Sequence, residues 1–581
     1  MKKYIVLCCV LSGMLFSCNE SSFLREVPED FMSAENSYET EDDFNMSVND
    51  LYGLVREDMY GYDEWRPFDY LYGTDLIFDG EPGTQIRHSN MLGAYHPTAV
   101  SPSVHWNLIY KMIAGANTII DRLEISSLSE DKKTLFEAKA RFFRGFGYRT
   151  LGYLYGGVPL ELHEVKQAKT DYVRSTREQT LTQAMEDVKF AAENLPDITK
   201  VRDGEVSSPA AYHLLAELYL ALGKDQEAVN AATLVIDNPA LELMRNRFGS
   251  RKSETDKDVY WDLFRRNNQN RAAGNTEGVW VIQFEIDTPG GGSSSTKLQE
   301  KFNYRLERNI APMVRDVRIK KNGKTYTPFN WPVSDYTGGR GIGWGISTKY
   351  FSNTIWEDDF DGDMRNANHN FVRKFRVHRS DVINNLGITE LDVDNLPEGV
   401  EVIVGQGNST TVPGRYLYAY QSKCTTPGNH PDALYSNKAT LSLKGDAGVT
   451  YTDQYMFRLA ETYLLRAEGY MNLNKKDLAA KDINEVRGRA HAKPVDESEV
   501  DMDYILDERM RELGIEEKRR ITLMRTQTLY DRVMKCNPYY ADPKTNGDGV
   551  GMQKHYNIWP IPQSAIEANT DAILEQNPGY N

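Results

Sequence analysis

Cysteine is scarce in this chain, 5 in 581 residues, and Cys8, Cys9 and Cys18 all fall within the first 18. Only Cys424 and Cys536 remain for the body, so one disulfide is possible and a disulfide framework is excluded. Cations are in deficit too, 68 Lys and Arg against 84 Asp and Glu, for a net charge of −16 that becomes −18 without Lys2 and Lys3. That sign disfavours broad nucleic-acid binding, so no nucleic-acid partner is expected. Long apolar runs are missing: residues 5–16 form a stretch of about 12, short of the ~20 that cross a bilayer. There is no P-loop, no GxGxxG behind a strand and no GxSxG, and Gly338-Gly339-Arg340-Gly341-Ile342-Gly343 opens no helix. Asp359-x-Asp361-x-Asp363 starts like a calcium loop, but Met364 and Asn370 stand where that loop needs Gly and Glu, which leaves a structural reading of Asp363-x-Arg365. His88, His96 and His105 match no zinc spacing. No pair among the 84 acids carries a glycosidase signature. No metal, cofactor or catalytic residue is implied, and the chain reads as a non-enzyme.

What is present begins at the N-terminus. Lys2 and Lys3 precede the apolar run, which has the length of an export-signal h-region. It ends Leu15-Phe16-Ser17-Cys18, which resembles the lipobox of bacterial lipoproteins. The resemblance implies a signal peptide over residues 1–17, lipidation at Cys18 and a polar tether after it.

Apolar residues recur every three or four positions over 42–56, 106–123, 135–154, 177–195 and 209–222, and again over 455–473, 477–490 and 502–523, the period of amphipathic helices. Between them, residues 275–449 hold 19 of 43 glycines and four of eight tryptophans, with short alternating runs such as Val279 to Phe284, so a loop-rich insert with short strands is expected. Tyr212, Ala216, Tyr219 and Ala228 are spaced by four, three and nine, and Tyr463, Ala467, Tyr470 and Ala479 repeat both spacing and residue type. This is the pattern of a tetratricopeptide helix pair, in which alanine lets the two helices approach.

Several strings, in order, resemble the SusD/RagB family of outer-membrane nutrient-binding lipoproteins: Phe23-Leu24 and Pro28, Trp106-x-x-x-Tyr110-x-x-Ile113-x-x-x-Asn117, Ala138 to Arg144 running into Tyr155-Gly156-Gly157-Val158-Pro159-Leu160, and Ala210 to Ala216. Arg458 to Glu468, Asn484-Glu485-Val486-Arg487-x-Arg489-Ala490, Glu508-Arg509-x-x-Glu512-Leu513, Pro560-Ile561-Pro562 and Gln576 to Tyr580 continue it to the end. The resemblance implies a mainly α fold, tetratricopeptide-like helical pairs packed against an irregular, loop-rich half with short strands. It divides the chain into a signal peptide (1–17), an N-terminal helical region (18–274), a loop-rich glycan-facing insert (275–450) and a C-terminal helical region with tail (451–581). It also implies a surface lipoprotein anchored in the outer membrane that captures oligosaccharide and passes it to a SusC-type TonB-dependent transporter.

Tyrosine outnumbers phenylalanine 34 to 21, and hydroxylated rings suit wet surfaces and polar ligands. Trp331, Tyr336, Trp344 and Trp356 lie within 26 residues of the insert, spaced by glycine and polar residues rather than at a core period. Trp65 stands in a second aromatic group ahead of Gly73-Thr74-Asp75. These rings are the expected sugar platforms, and the resemblance implies Asp75 as a hydroxyl acceptor; Trp106, Trp280 and Trp559 are expected to be structural. Two other readings stay open: a lipoprotein whose helical pairs dock only protein, and a surface glycosidase.

Overall fold

A computed structural model describes residues 38–61, 66–80, 91–284, 287, 304–330, 339–404, 414–425, 427–444, 447, 451–542 and 551–580. Cys18, Trp65, His88, Trp331 and Tyr336 lie outside these. Among them, helices dominate and strands are short, with no sheet larger than three strands. No helix among the described residues is long and apolar enough to cross a membrane.

The longer helices are α1 (Glu41–Tyr60), α2 (Val100–Ile125), α3 (Glu130–Leu154), α4 (Arg177–Asn194), α5 (Ser208–Ala221), α6 (Asp225–Ile236), α7 (Leu459–Asn472), α8 (Lys476–Arg489) and α9 (Met502–Glu512). All but α6 fall in stretches with the helical apolar period, but the helix expected over 455–473 begins only at Leu459, because residues 454–458 pair as a strand with 278–282; local chemistry sets the ends. Capping boxes start α1 at Thr40 with Asp43 and α4 at Thr176 with Gln179, while Pro209 occupies the first turn of α5. The helix expected over 502–523 is in fact two. It breaks at Gly514 (φ +50°), where a Cβ would run into the Gln421 side chain, and resumes as Arg519–Arg525.

The repeat is a pair of helix hairpins, α5–α6 and α7–α8, with α6 packed on α7. Ala216, Ala467 and Ala479 are fully buried and Ala228 nearly so. The turns match as well. Gly223 (φ +68°) and Asn474 (φ +58°) sit four residues after Tyr219 and Tyr470, and in each copy the next amide, Lys224 or Lys475, donates to that tyrosine's carbonyl at 2.8 Å. Asparagine takes the left-handed position where the other copy uses glycine.

The insert is built from small antiparallel sheets. β1 (Ile77–Asp79) pairs with β5 (Gly345–Ser347), and β3 (Arg318–Lys321) lies between β4 (Lys324–Tyr326) and β6 (Glu401–Val404). β2 (Gly278–Ile282) pairs with β7 (Gln454–Arg458), which leads directly into α7. One apolar cluster draws on helical and insert residues alike, from Phe44 and Trp280 to Phe375, Leu464 and Tyr580. Trp106, Trp280 and Trp559 are buried in it as expected. Cys424 and Cys536 are both buried and unpaired, which closes the possibility of a disulfide between them.

Ala467→Leu should overpack the α7–α8 contact and lower stability by about 1 to 3 kcal/mol, read as a reduced denaturant midpoint. An unchanged midpoint would show that this alanine does not set the helix spacing.

Candidate functional site

The pairing of β1 with β5 (Ile77↔Ser347, Phe78↔Ile346, Asp79↔Gly345) brings the early aromatic loop against the insert. Trp344 immediately precedes β5, and its carbonyl accepts from the Gly80 amide at 2.6 Å. The helix Leu306–Ile310 lies alongside: Ile342 N donates to Arg308 O (2.8 Å) and Gly343 N to Ala311 O (2.9 Å). A third strand of chain joins where Met313 N donates to Arg415 O (3.0 Å). Gly343 (φ +65°) and Gly80 are required there, since a Cβ on the first would meet the Arg415 carbonyl and on the second the Gly343 carbonyl. Tyr418 ties the junction together through its hydroxyl, which donates to Ile310 O (2.6 Å) and Gly345 O (3.2 Å).

Trp344 is half-buried, and the Arg308 guanidinium stands 5.8 Å from its ring centre. Arg340 and Arg415 are half-buried as well. A partly exposed ring can stack the C–H face of a sugar. Periodicity gave no sign of Arg308, Arg340 and Arg415, because they are far apart in sequence and each looks like an ordinary surface charge; only the glycines at 341, 343 and 345 mark the close approach.

Two expected contacts are placed elsewhere. Asp75 is fully buried, where Arg519 engages it with two bonds (Nε–Oδ1 2.9 Å, Nη2–Oδ2 2.7 Å) and Arg532 with a third (Nε–Oδ2 2.9 Å). Burial by itself would raise its pKa, but the two guanidiniums outweigh that and hold the carboxyl at about 2. Trp356 is also buried, its Nε1 donating to Phe351 O at 2.9 Å and its ring set edge-on to Phe371. The expectation that these two groups face solvent is therefore corrected. Both act as packing and pairing groups, since local spacing does not report what a distant segment lays over a residue. Of the predicted rings, Trp344 alone among the described residues keeps a partly open face.

The other chemistry weighed in the sequence resolves as structure. His105 is enclosed by Asp58 (Nδ1–Oδ1 2.7 Å), Asp69 (Nε2–Oδ2 3.1 Å) and the Tyr70 hydroxyl (3.0 Å). Burial opposes its charging, yet the two carboxylates raise its pKa to about 9. Asp363-x-Arg365 is a buried pair at 2.6 Å. Among the described residues no three His, Cys, Asp or Glu side chains are grouped to hold a metal. A separate groove of about 560 Å³ lies between α2, the stretch around Pro159 and Tyr172, and the C-terminal segment, with Trp106, Tyr110 and Leu574 in its lining. It holds none of the predicted glycan residues.

Asp75→Asn should leave Arg519 and Arg532 facing a neutral group and cost about 3 to 5 kcal/mol. In the native protein this carboxylate's folded pKa lies below its unfolded value, so its stabilisation is full above about pH 4 and lost as pH falls toward about 2. A variant with native stability and an unchanged acid limb in a pH series of melts would refute the pairing role.

Residues 276–580 match the family model described as the SusD family, and residues 29–220 match one described as starch-binding associating with outer membrane. A SusD-like protein P25 of Formosa agariphila is 24% identical over 97% of both chains. The starch-binding protein SusD of Bacteroides thetaiotaomicron is 36% identical over 22% of each. Among solved structures, a laminarin binding SusD-like protein superposes with a TM-score of 0.65 at 19% identity, over 94% of this chain and 100% of that one. With more than half its length under a single family model, the chain belongs to the SusD family.

Proposed function

We propose that this protein is a surface glycan-binding lipoprotein that captures oligosaccharide without cleaving it and delivers it to a SusC-type TonB-dependent transporter. The observation that carries the reading is the partly exposed Trp344, with the Arg308 guanidinium 5.8 Å from its ring centre, at the junction of the early loop and the insert in a chain of the SusD family. Relatives whose printed names include starch, laminarin or surface glycan binding support the ligand class. Trp331, Tyr336 and Trp65 are assigned to the same platform on sequence grounds. Delivery and the outer-membrane anchor at Cys18 rest on the family and on the lipobox-like Leu15-Phe16-Ser17-Cys18. Capture must be reversible, which places dissociation constants at about micromolar to millimolar, or about −8 to −4 kcal/mol.

Trp344→Ala should weaken oligosaccharide binding by about tenfold or more in calorimetric titration, and the double change with Trp331→Ala should abolish it. The melting temperature of the single variant should stay near the native value, because the ring is only half-buried. Unchanged affinity in the double variant would sink the platform assignment, and released product sugars would replace the binding reading with a glycosidase.

Cys18→Ala should free the protein from sedimenting membranes with its fold intact, since stable anchoring needs two acyl signals. Persistent sedimentation in a strain lacking the transporter would rule out the lipid anchor.

A further inference from the structure

The groove beside α2 is a built cavity that the Trp344 junction does not use. Its floor is one stripe of α2, in which Trp106, Tyr110, Ile113, Ala114 and Asn117 follow at helical intervals and Asn107 flanks the first ring. The second wall is the stretch around Pro159 and Glu161, held to that helix where the Tyr110 hydroxyl donates to Pro159 O (2.8 Å) and Asn117 Nδ2 to Glu161 O (2.8 Å). The third is the C-terminal segment. There the Asn569 side chain accepts from Tyr172 N (2.7 Å) and donates to Tyr172 O (2.9 Å), and Asp571 N donates to Thr170 O (2.9 Å). Three segments far apart in sequence thus hold about 560 Å³ open, within the ~300 to 1,000 Å³ usual for small-ligand sites.

The lining sorts into two kinds of surface. Apolar surface is supplied by the half-buried Tyr110 and Tyr172 and the exposed Val165, with Trp106 and Leu574 buried behind them. The polar groups that shape the walls are spent on one another in the bonds just given. Others are not: among the described residues no hydrogen bond engages the exposed side chains of Asn107 and Ser564 or the Tyr172 hydroxyl. Each of these three can both donate and accept, which is what a sugar hydroxyl needs of a partner. The charged residues of the lining are Glu161 and Lys169, and they close on each other at 2.6 Å. The groove therefore carries no net charge of its own. An anionic ligand finds no unpaired cation in it, and a purely apolar one leaves the free amide and hydroxyls unused. A ligand with apolar C–H faces and neutral hydroxyls matches both kinds of surface.

We propose that this groove is a second glycan site, taking a neutral oligosaccharide segment with its C–H faces on Tyr110, Tyr172 and Val165 and its hydroxyls on Asn107, Ser564 and the Tyr172 phenol. The inference rests on the glycan-capture reading above and adds to it a site that shares no lining residue with the Trp344 junction.

The test is calorimetry of the whole mature chain, released from the membrane by Cys18→Ala, against neutral gluco-, manno- and galacto-oligosaccharides, with an oligogalacturonate as the acidic comparison. The expected result is two equivalents of one neutral oligosaccharide per native chain, the groove equivalent about tenfold weaker because it offers half-buried tyrosines in place of a tryptophan platform. Tyr172→Ala should remove the weaker equivalent and leave the tighter one. Ala114→Arg, which fills the groove from an exposed helix position and takes away no contact, should do the same with an unchanged melting temperature. The double variant Trp331→Ala with Trp344→Ala, which abolishes the tighter platform binding, should keep the weaker equivalent. A single native equivalent that Tyr172→Ala and Ala114→Arg leave unaltered overturns the second site and leaves the Trp344 platform standing. A single equivalent lost in those two variants but kept in the tryptophan double variant supports the groove and overturns the platform. Groove binding of the oligogalacturonate in preference to every neutral sugar overturns the neutral assignment. Groove variants that change only the co-purification of a protein make this a protein-docking surface and overturn the inference, and binding of no oligosaccharide overturns both readings.

Discussion

A buried ionic network holds the three parts of this chain in one arrangement. Glu277, Asp363, Arg365, Arg458, Arg489, Glu508 and Glu512 are all within 2% of full burial. Arg365 reaches Asp363 (2.6 Å), Glu508 (2.8 Å) and Glu512 (3.1 Å), while Arg489 meets Glu277 (2.8 Å) and Glu512, and Arg458 also bonds both of those acids. Glu277 stands at the start of β2, Arg458 at the end of β7, Arg489 at the end of α8, the two glutamates on α9, and Asp363 and Arg365 inside the insert. Desolvating so many charges is costly, and a hydrophobic replacement of equal shape would be as stable or more so. Removing one partner alone is different, because it strands a charge with no water to receive it. Burial would raise the pKa values of Glu508 and Glu512, but the arginines around them hold both far below the usual carboxylate range. Only one relative placement of helices, seam strands and insert satisfies every member, so the network specifies the assembly more than it stabilises it.

That constraint explains what could and could not be read from the sequence. Helix positions, the alanine contacts and the matched turns after Tyr219 and Tyr470 depend on residues a few positions apart, and they were legible. The arginine and glutamate strings between Arg458 and Leu513 carry the family resemblance, but nothing in their spacing shows that they meet in a sealed interior. The break at Gly514 was not, because the apolar period continues across it and the obstacle is Gln421, on another segment. Asp75 and Trp356 were misplaced for the same physical reason. Asp75 meets arginines more than 400 positions away, and nothing near either residue records what covers it.

The candidate site inherits its rigidity from this interior. Arg519 and Arg532, which fix Asp75, anchor the segment that becomes β1, and β1 in turn sets the register of β5 and so the position of Trp344. Gly80 and Gly343 then let three backbones meet closely beside Trp344. Charge that was buried for architecture thus positions, through a single two-stranded pairing, a partly exposed aromatic residue. A platform held in this way loses little freedom when a sugar settles on it, which suits binding from few contacts.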